Sequence, residues 1–363
     1  MKTNYLLIGG CLLGLAACSL AGNIDPNTIQ FSSVQSEPDD RNSEIAQQPP
    51  AQKQAQGISP QFDSASDFSE GLALVSINNT YRYINSTGKV VITPEHEFTA
   101  MAAFSEGLAI VQLGSIYSCI TPTGQLLEQI HFDSIARFSE GLAAVKVNTI
   151  YGYINKSGQL VIQPKFALAM PFSQGLAAVK VDRKYGYITP QGQMAIAPKY
   201  DDAARFSQGL APVRMGQKWG YLNRSNQLMI KPQFDGAFPF AESFARVRTG
   251  QQWGYVNRQG AIAIPLQFSF ANDFSEGLAA VQQNGKWGYV NPSGDLVIKP
   301  QFNYAGEFSQ GLAAVQINDK WGYIDQSGNL AIAPKFDNAG SFAEGLARVK
   351  IGDKWGYISR NNV

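Results

Sequence analysis

From about residue 60 to the end of the chain, apolar residues fall in short runs separated by clusters of Gly, Asn, Asp, Ser and Pro. After Phe274 the runs are Leu278–Gln282, Lys286–Asn291 and Asp295–Lys299. Runs this short, bounded by turn residues, predict strands; nothing in the pattern suggests a helix longer than one turn. The pattern also repeats. Phe occupies positions 68, 104, 138, 172, 206, 240, 274, 308 and 342, each followed by Glu or Gln and then, with one exception, Gly. The interval is 34 residues except for the first, which is 36. The two extra residues fall in Pro94-Glu95-His96-Glu97-Phe98, where other copies read as Pro164-Lys165-Phe166 does. Nine copies at fixed spacing define a tandem array.

The turns support strands. Between the first two runs one position holds Asn78, Gly114, Asn148, Asp182, Gly216, Gly250, Asn284, Asn318 and Gly352. All are residues that tolerate φ > 0, as a tight hairpin turn requires. The next turn has Gly at 88, 124, 158, 192, 260, 294 and 328, with Asn226 in the fifth copy. That is the pattern of a type I turn followed by a left-handed residue. After the third run Pro-x-Phe-Asp (Pro232 to Asp235) ends the strand. Each unit therefore predicts a three-stranded antiparallel meander plus a connector.

The middle run carries the signature. It reads Trp219-Gly220-Tyr221, Trp253-Gly254-Tyr255, Trp287-Gly288-Tyr289, Trp321-Gly322-Tyr323 and Trp355-Gly356-Tyr357, with Tyr151-Gly152-Tyr153 and Tyr185-Gly186-Tyr187 before them. The first two copies depart, as Tyr81-Arg82-Tyr83 and Tyr117-Ser118-Cys119. Together with Phe-Ser-Glu-Gly-Leu-Ala, these residues resemble the bacterial WG (KWG) repeat family over residues 60–359. The resemblance implies a repeat class and carries no activity with it. Alternation puts both aromatics of a copy on one sheet face, and the Gly on the other, where it permits close backbone approach. The aromatics then either stack into a shared core or form an exposed ladder for sugars or peptides. The core is the expectation, since stacked units bury their recurrent aromatics. As a ligand surface the candidates are Trp219, Trp253, Trp287, Trp321 and Trp355 with Tyr221, Tyr255, Tyr289, Tyr323 and Tyr357. The recurrent Glu or Gln after Phe-Ser is expected to cap a turn.

The expected fold is all-β: nine meander units in an open solenoid or superhelical array, with a closed propeller-like ring as the alternative. The chain enters with Pro60-Gln61-Phe62-Asp63, the tail of a unit, and stops before the last unit's third strand. A ring could use that tail to complete the last unit. Residues before Pro60 lack a Leu-Val-Ile run, however, and each unit is short for a four-stranded blade, which favours the open array. The degraded first copies would then form its terminal cap.

The N-terminus reads as an address. Residues 1–17 have a charged start at Lys2 and an apolar run from Tyr5 to Leu15, too short to span a bilayer. The run ends in Leu15-Ala16-Ala17-Cys18, which resembles the bacterial lipobox. That implies cleavage before Cys18, acylation of Cys18, and a partner in the membrane to which the lipid anchors the chain. Each buried CH₂ contributes about 0.8 kcal/mol, so several chains give stable anchoring. Ser19 implies an outer-membrane address within the cell envelope. Residues 18–57 then form the lipidated Cys and a linker rich in Gln, Ser, Asn and Pro; as a coil its r.m.s. span is roughly 35 Å. Residues 58–363 hold the array.

Charge and composition narrow the function. Lys plus Arg number 29 and Asp plus Glu 28, which gives no electrostatic argument for nucleic acid. Only His96 and His131 are present, and Cys119 is the one thiol left if Cys18 is acylated, so no disulfide, metal site or cofactor is expected. Ser and Asp recur with the period and read as turn chemistry. The lone irregularity with catalytic residue types is Glu95-His96-Glu97, better read as a solvated insertion. The expected function is a non-catalytic lipoprotein whose repeats bind protein or glycan, or else a passive structural spacer of the envelope.

Overall fold

The computed structural model describes residues 57–127 and 130–360. The leader, Cys18 and all but the last residue of the linker lie outside the described residues. No α-helix occurs among those described. All nine hairpin positions singled out above have φ between 46° and 61°, and Asn226 has φ 60°.

Among the described residues seven of the nine copies contribute four strands rather than three. In the seventh these are Phe270–Ala271, Ala279–Gln283, Lys286–Val290 and Leu296–Phe302, hydrogen-bonded in that order. The connector supplies the additional strand, only two residues long, which is how a four-stranded blade fits into 34 residues. Eight four-stranded sheets and one three-stranded sheet result.

The array is closed, not open. The ninth sheet takes three strands from its own copy and its fourth, Ile58–Phe62, from the other end of the chain, with Ile58 opposite Tyr357 and Phe62 opposite Trp355. The protein is a nine-bladed β-propeller, and the expected open solenoid is wrong. The reason lies in burial along the fourth strand. Its first two residues are exposed in blade after blade, as with Leu160, Val161, Leu228, Met229, Leu296 and Val297. Only the following Ile and the final Phe are buried. The closing segment has both, as Ile58 and Phe62; the apolar pair it lacks has no core to enter. In a ring the first two copies cannot cap a free end.

Nine apolar cores hold the ring, one between each pair of neighbouring blades. Between blades six and seven, Trp253, Tyr255, Ile264 and Phe268 meet Ala271, Phe274, Ala279, Val281 and Val290. The core between blades nine and one repeats the arrangement with Ile58, Phe62 and Tyr357 against Ala65, Phe68, Ala73 and Val75. Every blade thus buries its apolar faces only because it has two neighbours, and closure removes the exposed face an open array would leave at each end.

Polar contacts follow the same circuit. In all nine copies the Glu or Gln after Phe-Ser accepts a hydrogen bond of 2.8–2.9 Å from a backbone N–H in the next blade's Phe-Ser-Glu-Gly turn, ending with Glu344 to Gly71. These residues staple neighbouring blades rather than cap their own turns. Seven Ser hydroxyls donate to the next copy's Phe carbonyl at 2.6–3.1 Å. Eight Tyr hydroxyls of the third strands donate at 2.6–2.8 Å to a carbonyl beside the next blade's first strand. A Tyr rather than a Phe recurs because its ring fills the core while its hydroxyl satisfies a neighbour's backbone.

The Gly between the aromatics has a steric purpose. A Cβ on Gly254 would lie 2.6 Å from the Ile264 carbonyl oxygen, 2.7 Å from that of Pro265 and 2.8 Å from the Leu266 nitrogen. The glycine makes room for a fourth strand of full length on the third. Copies three to eight have this Gly and fourth strands of seven residues. In blade one Arg82 replaces it and the strand shrinks to Val90–Ile92. In blade two Ser118 replaces it, and the described residues of that stretch pair through the bridges Ile120–Leu126 and Tyr117–Phe132.

Candidate functional site

The first strands surround the axis. One cavity, of about 480 Å³, is lined by Asn272 of blade seven, Tyr304 and Glu307 of blade eight, Arg348 of blade nine and Asp67 of blade one. A second, of about 570 Å³, joins Arg348, Ser66 and Asp67, Met101 and Arg137. Only a central channel brings four successive blades to one space. Its wall is formed by the first strands and the residues just after them, joined by Ala314 and Arg348 of second strands and Trp321 of a third.

The candidate aromatics of the sequence divide into two groups. Tyr221, Tyr255, Tyr289, Tyr323 and Tyr357 are fully buried in the cores, where desolvation raises each phenol above its usual range. They are closed to any ligand. The Trp residues sit nearer the surface. Trp253 and Trp287 keep 9% and 6% exposure, and Trp219, Trp321 and Trp355 are half-buried.

Three of these Trp residues belong to a continuous aromatic arc. Ring centroids run from Phe238 to Trp253 (5.5 Å), Phe270 (5.1 Å), Trp287 (5.7 Å), Tyr304 (5.5 Å) and Trp321 (5.3 Å). Trp from a third strand alternates with an aromatic from, or next to, a first strand, so the arc crosses blades six, seven and eight. Phe270 and Tyr304 open each first strand and are 40% and 43% exposed. At that position the other blades carry Ser64, Ala100, Ser134, Leu168, Asp202, Gly236 and Asn338. Two exposed aromatics in adjacent blades are a local departure from the repeat, and the sequence signal for them is this break in periodicity.

Charged groups flank the arc. Arg246 stacks over Phe238 at 3.9 Å, lies 2.8 Å from the Asp273 carboxylate and donates to the Ala271 carbonyl at 3.0 Å. Arg348 repeats the motif three blades on, donating to Asp67 at 2.8 Å. Burial, with the Asp273 charge nearby, pushes the Glu307 carboxyl above its usual range. Each arginine stands where other blades have Ala, Pro, Leu or Ile, so its sequence signal is again a break in periodicity, one that the reading of the repeat passed over.

Elsewhere on the ring, Lys184, Lys218 and Lys320 pair with Asp201, Asp235 and Asp337 at 2.5–2.7 Å, and Lys354 pairs with Asp63. The Lys before Trp-Gly-Tyr therefore pins a connector. Glu95 and His96 line two cavities beside blades one and two. Among the described residues no group of three His, Cys, Asp or Glu side chains could hold a metal. Cys119 is buried, and burial pushes its thiol up to about 12.

The fold defines a nine-bladed β-propeller of four-stranded repeats. The chain belongs to the family described as "WG containing repeat", which matches nine consecutive segments, 56–81, 81–115, 117–148, 151–185, 185–219, 219–252, 253–287, 287–321 and 321–355. None of the curated proteins compared with the chain matches it. Among solved structures it is similar to a crystal structure of the eukaryotic initiation factor, at 10% identity and TM-score 0.58, over 86% of this chain and 92% of that one. That likeness is one of fold alone. The extracellular domain of the putative one component system BT4673 from B. thetaiotaomicron (12% identity, TM-score 0.33, 83% of this chain and 53% of that) is more distant. So is Kluyveromyces lactis Hsv2 (10%, 0.39, 74% and 98%).

Proposed function

We propose that this protein is a non-catalytic binding module of the bacterial cell envelope, tethered by a lipid on Cys18, and that it holds a protein or glycan ligand at the aromatic arc. One observation carries the reading: Phe270 and Tyr304 are exposed in two adjacent blades where the other seven have non-aromatic residues. Contiguous exposed aromatics beside a cavity mark a binding surface. The recurrent Ser, Glu and Asp serve as staples and turn partners, which supports a binder over an enzyme.

The site is tested with Phe270→Ser and Tyr304→Asn. Ser and Asn occupy the same position in other blades, at Ser64, Ser134 and Asn338, so the ring tolerates them. The immobilised chain should retain envelope components that the double variant does not. Equal retention by both would remove the arc as the site. For the tether, cells fed radiolabelled palmitate should label the wild type and not Cys18→Ser; equal labelling would rule out acylation there.

A further inference from the structure

Resting on that reading, we propose that the ligand of the arc is a glycan of neutral or amino sugars, stacked on Phe270 and Tyr304 and hydrogen-bonded by the polar groups of the adjoining channel cavity. A pyranose ring has an apolar face of C–H groups and a rim of hydroxyls that both donate and accept. The arc offers the complement of each. Two exposed rings are held by Trp253, Trp287 and Trp321 on either side, at 5.1–5.7 Å, so their orientation is fixed before a ligand arrives. Tyr304 and Trp321 themselves line the cavity that also contains Asn272, Glu307 and Arg348. That set combines an amide, a carboxyl and a guanidinium within one space. Preorganised aromatics lose little entropy on binding.

The same features argue against other ligands. Protein hot spots fill well-packed, fully desolvated pockets; here the cavity wall mixes Asp67, Asn272 and Glu307 with the aromatics Tyr304 and Trp321. A polyanionic glycan is disfavoured by charge. Near the arc three acids, Asp67, Asp273 and Glu307, balance three arginines: Arg246 and Arg348 are already paired with aspartates, and Arg248, 5.9 Å from the Trp253 ring, donates to the Gly250 carbonyl, so no excess positive charge is left for a polyanion.

The test is a glycan array carrying neutral, amino and acidic oligosaccharides, probed with the folded chain. It is followed by calorimetric titration with chitohexaose, cellohexaose and hexagalacturonate. We expect neutral or amino-sugar oligomers to bind, hexagalacturonate not to bind, and Phe270→Ser or Tyr304→Asn each to weaken affinity about tenfold, the loss of one ring contact. Binding confined to acidic glycans, or no binding to any glycan, overturns the proposal. If glycans fail while the double variant still loses its envelope ligand, the arc remains the site and the ligand is a protein. If the variant loses nothing in either assay, both readings fail.

Discussion

Replacing Gly254 by Ala places a methyl group against the backbone of the blade's own fourth strand. The contacts would be 2.6 Å to the Ile264 oxygen, 2.7 Å to the Pro265 oxygen and 2.8 Å to the Leu266 nitrogen. No flexible side chain is there to give way, so strand Ile262–Phe268 must move. If it shifts slightly, the penalty is that of an overpacked core, about 1–3 kcal/mol. If it leaves, Ile264 and Phe268 lose their burial, at about 1.5–3 kcal/mol each. In blade one, where Arg82 replaces the Gly, the fourth strand is shortened to Val90–Ile92 with Ile92 still buried at 3%. We therefore expect Gly254→Ala to destabilise by about 3 kcal/mol, read by urea denaturation. Amide exchange should speed up in residues 262–268 while blade four is unaffected. Gly236→Ala is the control: its added Cβ meets nothing closer than 3.5 Å, and Ala100 already occupies that position in blade two. If Gly254→Ala unfolds at the wild-type midpoint with residues 262–268 still protected, the steric account of the signature glycine is wrong.

Three further outcomes follow from the packing. Tyr289→Phe keeps the ring but strands the Gly306 carbonyl, now 2.7 Å from the hydroxyl, and should destabilise by about 1–2 kcal/mol in the same denaturation assay. Lysine hydrogen bonds hold the carboxyls of Asp63, Asp201, Asp235 and Asp337 below their usual range. Their contribution is complete above the unfolded value near 4 and is lost as pH falls through the lower folded values, so the urea midpoint should be flat from about pH 5 to 7 and drop below about pH 4. Cys119 should resist a thiol reagent at pH 8 in the folded chain and react promptly in urea, because its thiol is buried and held at about 12.

Much of this molecule was legible in its sequence. The period, the strand runs and the turn residues are all set by local backbone chemistry, and each glycine or asparagine chosen for φ > 0 adopts it. Closure was less legible, because it depends on which residues of the fourth strand reach the core. A Leu-Val pair looks essential in sequence, yet Leu296 and Val297 face water, whereas the modest Ile58 and Phe62 suffice. The connector hid a strand because two residues, such as Phe270–Ala271, give no periodicity to detect. For the candidate site the signature aromatics and the proposed arc overlap at Trp253, Trp287 and Trp321. The Tyr members of the signature are core, while the exposed rings, Phe270 and Tyr304, lie outside the motif. Averaging over repeats discards such positions, since what makes them informative is that they do not repeat.

The propeller exists only if residues that precede the first copy close the ring. Amide hydrogen exchange of the peptide spanning residues 57–63 measures this directly. In a closed ring Ile58–Phe62 is the fourth strand of blade nine, paired with Tyr357 and Trp355, and its amides should be protected to the same order as those of Leu296–Phe302 in blade seven. Exchange of that peptide at the rate of an unstructured chain, with Leu296–Phe302 protected, would show an open array and contradict the propeller.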